Sequence, residues 1–188
     1  NRFNEWDVKS RTAIAAIILF KGDVYQSMRA DKFSEKEMCF AQENLRIISG
    51  LYGLLNPLDK ILPYRLEMGT KLKTESGNNL YDFWGDKLHN SLQSELAEDE
   101  VLINLASNEY NKALKLNALK NKVITPVFKD YKNGKLKVIS FFAKKARGEM
   151  CNYIITNSIL NREELKLFSN LGYKFTEENS KGEWLFTR

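Results

Sequence analysis

The sequence predicts a mixed α/β chain of the α+β kind, with a small central sheet, packed helices and a helix-hairpin-helix-like element. Three observations predict it. Apolar residues in the first half recur at spacings of three and four, the helical period. In the second half, short apolar runs flank Asn133-Gly134, the favoured dipeptide of a tight hairpin. No repeat, low-complexity tract or linker divides the 188 residues, which suits one domain over 1–188.

Taken in order, Ser10 is placed to cap a helix running through Ala13, Ile14, Ile17 and Ile18 to Phe20. This is the longest apolar run, well short of the roughly 18 residues that cross a bilayer, so no membrane association is expected. Ser34-Glu35-Lys36-Glu37 is a capping box. The helix it opens carries Met38, Ala41, Leu45 and Ile48 on one face and is expected to stop at Gly50. Leu80, Trp84, Leu88, Leu92 and Leu96 form an i,i+4 stripe, read as a core-facing helix opened near Asn78 or Asn79.

Val101 to Leu105 reads as a buried strand, and Val123–Lys129 and Lys135–Phe142 as the two arms of the hairpin. Met150 to Ile155 reads as helix. Asn161-Arg162-Glu163-Glu164 is an Asn-led capping box opening a helix through Leu165 and Phe168. Gly172–Phe175 and Glu183–Thr187 close the chain as a pair of strands.

Side-chain inventory excludes much chemistry. Cys39 and Cys151 are the only cysteines and His89 the only histidine, so there is no disulfide framework and no Cys/His zinc set. No metal or cofactor is expected, and the thiol usage suits a reducing compartment. The charge is more informative. The net value is +5, yet Lys112 to Arg147 holds eleven cations and one acid, Asp130, giving that segment +10 and the remainder −5. Such a lopsided field attracts polyanions.

Three segments are candidates for function. At Ile103–Lys112 a strand ends in a polar cluster in which Asn104, Ser107, Glu109 and Lys112 could form half of a cleft, Glu109 being the one plausible general base. At Phe141–Gly148, the cations Lys144, Lys145 and Arg147 are expected just before a helix N-terminus, where free amides favour an anion. At Leu45–Pro57 a helix is expected to end in a Gly-x-x-Gly turn, Gly50 to Gly53 with Tyr52 between, whose amides could approach DNA phosphates as in helix-hairpin-helix proteins. That motif usually has one residue between its glycines; here there are two.

The segments Phe20–Tyr25, Leu45–Asp59, Pro63–Gly69, Tyr81–Gly85, Ile103–Tyr110 with Lys112, and Ala143–Gly148 with Met150, taken together and in this order, resemble the YaaA peroxide-stress family. The resemblance implies a cytoplasmic bacterial protein of compact mixed α/β fold that limits peroxide damage by lowering unincorporated iron and carries a helix-hairpin-helix-like DNA-binding element; no segment reads as a recognition helix, so weak sequence preference for DNA is expected. It also implies several dozen further residues ahead of residue 1, including a Ser-Pro-Ala-Lys motif. Asn56 and Asn152 stand where the family pattern leads one to expect Arg. The alternative is an enzyme acting on a nucleotide or nucleic-acid phosphate.

Overall fold

The computed structural model describes residues 13–188. Its main sheet is built around β6 (Lys122–Lys132), which pairs in parallel with β5 (Val101–Ile103) on one side and β9 (Glu183–Thr187) on the other. β8 (Lys174–Glu178) runs antiparallel beside β9, giving the order β5-β6-β9-β8. β7 (Lys135–Lys137) folds back on the far end of β6. The turn between them is Asn133-Gly134, at φ 54° and 72°. Two consecutive left-handed residues are what a type I′ hairpin needs, so this expectation holds.

Alternation along β6 sends Ile124, Phe128 and Asp130 to one face. There Ile124 and Phe128 meet Trp184 and Phe186 of β9 and Ala143, Ala146 and Met150 of α7 (Ser140–Thr156). Asp130 is charged and buried, and it is satisfied by the Tyr173 hydroxyl at 2.9 Å and Arg188 Nε at 2.6 Å. The opposite side of α7 packs on α2 (Asp23–Met28). Gly148 permits that approach, since a Cβ there would run into the Val24 carbonyl and Ser27. Arg29 and Glu149 close the same seam with a bidentate pair, and Asn170 adds a third bond to the carboxylate at 3.1 Å.

Two further clusters complete the packing. One gathers Ala16, Ile17, Met28, Ala41 and Ile47 against Cys151 and Ile155 of α7. The other joins α4 (Leu80–Trp84), α5 (Lys87–Glu95) and α6 (Asn108–Leu114) through Leu80, Leu88, Leu92, Ala113 and Leu114.

Several expectations are corrected. Ser10 lies outside the described residues. The apolar run after it is not one helix: Ile14–Ala15 is a short strand, β1, paired with β4 (Lys60–Ile61), and only Ala16–Leu19 is helical, as α1. The backbone amides of Ala16 and Ile17 go instead to the carbonyls of Asp59 and Pro57. The capping box at Ser34 and Glu37 forms with both its bonds, but α3 (Glu35–Asn44) ends early. Arg46 binds the carbonyls of Glu43 and Leu45, at 3.2 and 2.9 Å, satisfying the end of the helix, and Ile47–Ser49 follows as strand β2.

The Leu80–Leu96 stripe is divided at Gly85, whose φ of 50° ends α4 on a left-handed residue. Strand β7 stops at Lys137 and α7 begins at Ser140, so Lys144, Lys145 and Arg147 lie within the helix and not ahead of it. Asn161 does cap, accepting from the Glu163 amide, but the segment it opens, Arg162–Leu167, is a 3-10 helix.

Candidate functional site

The Gly50–Gly53 turn joins β2 to β3 (Gly53–Leu55) in an antiparallel hairpin. Strands therefore flank it where a helix-hairpin-helix would have helices. Buried Ser49 organises the turn: its Oγ accepts from the amides of Leu51 and Tyr52, at 3.2 and 2.8 Å, and meets the Tyr64 hydroxyl at 2.5 Å. Those two amides therefore point inward. The Gly50 carbonyl accepts from Trp84 Nε1 at 3.0 Å. Both glycines are dictated by neighbours. A Cβ on Gly50 would meet the Leu66 carbonyl at 2.5 Å. Gly53 has φ +79°, with the Trp84 ring 2.8 Å from where a Cβ would sit. The Tyr52 hydroxyl accepts from the Leu62 amide at 3.1 Å.

The polar cluster after β5 divides in two. Asn104 is buried and locked, its Oδ1 accepting from the Ala106 amide at 3.1 Å and its Nδ2 donating to Thr125 Oγ1 at 3.3 Å. Ser107 occupies the N-cap of α6 without a side-chain cap bond. Glu109 turns toward the 63–69 loop, where its carboxylate accepts from the Gly69 amide at 2.7 Å. Its own carbonyl accepts from the Tyr81 hydroxyl at 3.0 Å. Burial, together with Tyr64 and Glu109, pushes the neighbouring Tyr110 phenol up to about 12.

On the other side, Asn104 and Lys112 line an open cleft of about 440 Å³ between α6 and β6, together with Asn111, Thr125 and Lys181. Neither Ser107 nor Glu109 lines it. The four residues that the sequence groups together are thus assigned by the fold to two surfaces, and Glu109 is not placed as a base for that cleft. Much of the lining is also absent from the sequence-based expectation. Asn108, Asn111, Lys112 and Lys115 stand at i, i+3, i+4 and i+7, a single helical stripe that is legible once Asn108 is taken as the start of α6.

The cations of α7 form a third group. Lys144 Nζ is 3.9 Å from Asp23, and Lys145 Nζ sits 4.4 Å over the exposed Phe141 ring. Arg147 is half-buried, bonds through Nε to the Ala143 carbonyl at 3.2 Å and has no acidic partner among the described residues. Burial without a counter-charge pulls its pKa down.

Among the described residues the thiols and the histidine form no metal site. Cys151 is buried at 3.4 Å from Met28 Sδ, its thiol pushed up to about 12 by burial, and Cys39 is exposed. His89 Nδ1 lies 3.2 Å from the Leu114 carbonyl, a packing contact between α5 and α6. Among the described residues no group of three His, Cys, Asp or Glu side chains could hold a metal ion, and no helix is long and apolar enough to cross a membrane.

Known proteins are similar to this chain over most of its length. Residues 1–179 match a family model described as peroxide stress protein YaaA. A UPF0246 protein of Shewanella baltica is 55% identical over 183 residues, covering 95% of this chain and 72% of the relative. One from Aliivibrio fischeri is also 55% identical over 183 residues, at 95% and 71%. A third, from Colwellia psychrerythraea, is 51% identical over 192 residues, at 100% and 75%.

Proposed function

This chain belongs to the peroxide stress protein YaaA family, and we propose that it acts in the cytoplasm, lowering unincorporated iron under peroxide stress and binding DNA with little sequence preference. The observation that carries the DNA reading is the charge of the 112–147 segment, eleven cations against one acid. The single acid, Asp130, is buried against Tyr173 and Arg188, so it does not offset the surface lysines. Arg147 supports the reading further. A half-buried guanidinium with no carboxylate beside it among the described residues gains most from an incoming phosphate, because part of its desolvation is already met by the fold.

Lys144, Lys145 and Arg147 are the proposed phosphate contacts. The Gly50–Gly53 turn packs against the 63–69 loop through Ser49 and Tyr64 and at the Leu66 carbonyl; its Leu51 and Tyr52 amides are held by Ser49, so they are not among the proposed phosphate contacts. Weak sequence preference follows from contacts made to the backbone, which carries no base information.

The test is alanine replacement of Lys144, Lys145 and Arg147, with binding to a fluorescent duplex read by anisotropy and folding by circular dichroism. Loss of binding with an unchanged spectrum supports the assignment; unchanged binding removes it. The iron reading is tested separately, by electron paramagnetic resonance of chelatable iron in peroxide-treated cells with and without the protein.

A further inference from the structure

We propose that the cleft between α6 and the central sheet is a binding site for a small phosphomonoester, a sugar phosphate or nucleoside monophosphate. The inference stands apart from the proposed DNA contacts, because it uses none of Lys144, Lys145 and Arg147 and lies on a different element.

The cleft is lined by polar groups that the protein leaves unused. The carboxamides of Asn108, Asn111 and Asn117 and the ammonium of Lys181 make no hydrogen bond or ion pair with the described residues. The more buried carboxamides are by contrast tied down: Asn121 bonds the carbonyls of Ala97 and Glu100, and Asn152 the carbonyl of Met28. Lys112 faces only the Tyr81 ring, 4.5 Å away. Among the described residues no carboxylate lines the cleft, and of its three lysines only Lys115 has a counter-ion, Asp86 at 2.5 Å.

Its chemistry suits a dianion with a hydrogen-bonding body. Two uncompensated ammonium groups, on Lys112 and Lys181, supply charge-assisted bonds to phosphate oxygens. Carboxamides both donate and accept, which matches sugar hydroxyls or the edge of a base. Thr125 is held in place by the locked side chain of Asn104, so the floor is fixed before any ligand arrives. The volume of about 440 Å³ admits one such molecule and not a duplex.

The test is calorimetry of the chain with adenosine monophosphate, ribose 5-phosphate and adenosine, at constant ionic strength. Both phosphate esters should bind and adenosine should not. Lys112→Ala and Lys181→Ala should each weaken the esters by about tenfold, the expected worth of one charge-assisted bond. Lys181 is exposed and unpaired, so its variant leaves the fold intact even if loss of the Lys112–Tyr81 contact does not. The Lys144/Lys145/Arg147 alanine variant should bind the esters as the parent does, whatever becomes of DNA. Two results would each overturn the proposal: no binding of either ester, whether or not a 5′-phosphorylated oligonucleotide binds, or equal binding of adenosine.

Discussion

The carboxylate of Glu109 accepts a hydrogen bond from the backbone amide of Gly69 at 2.7 Å, joining α6 to the 63–69 loop across forty residues of sequence. The only acid that could serve as a base near the Asn104–Lys112 cluster is thereby a brace for a loop. Glu109→Gln retains an acceptor oxygen at the same place and should leave stability nearly unchanged. Glu109→Ala leaves the amide to water and should cost about 0.5–1.5 kcal/mol. Urea denaturation of both variants checks the pair; equal loss in the two would show that the carboxylate charge, and not the bond, is what matters.

Gly148 gives a prediction whose sign separates two effects. Helix propensity alone favours Gly148→Ala in the interior of α7 by about 1 kcal/mol. The methyl would, however, collide with the Val24 backbone carbonyl, which has no rotamer with which to move away. Overpacking of that kind costs about 1–3 kcal/mol, so net destabilisation is expected, together with a wider α2–α7 separation. A higher melting temperature for the variant would mean that the two helices slide apart freely.

The Arg29–Glu149 pair predicts a pH dependence. Its hydrogen bonds to Arg29 hold the Glu149 carboxyl below its ordinary range, while the same bonds raise Arg29. A depressed carboxylate stabilises the fold above its unfolded value, about 4.3, and that contribution is lost as pH falls through the folded value. Glu149→Gln should therefore be less stable than the parent at pH 7, by about 1–3 kcal/mol. The gap should close as pH drops below about 4. Denaturant curves at pH 7 and pH 3.5 measure it, and a gap that stays constant would show that the carboxylate is not the titrating partner.

What the sequence makes legible is mostly local. The capping box at Ser34 and Glu37 and the Asn133-Gly134 turn are decided within a few residues, and both form as expected. The resemblance to the peroxide-stress family, carried by motifs spread along the whole chain, is matched by the family comparison. Two of the misreadings share a cause. Ala13–Phe20 and Leu45–Gly50 carry helical spacing, but β1 and β2 are claimed by pairing with β4 and β3, which no local pattern reports. The start of α7 is hidden because Val138 to Phe142 is rich in β-branched and aromatic residues and reads as strand. At the site, Asn104 and Lys112 are found by type and position. The division of Glu109 from them depends on Gly69, and the far wall of the cleft depends on Thr125 and Lys181, all distant in sequence.

The central claim, that a basic surface including Lys144, Lys145 and Arg147 binds the DNA backbone, is tested most directly by the salt dependence of duplex affinity. With four to six phosphates neutralised, the slope of log K against log salt should be about −4 to −5. Replacing the three residues by alanine should reduce its magnitude by about one for each phosphate no longer neutralised. An affinity that hardly changes between low and physiological salt, in the parent protein, would contradict the account.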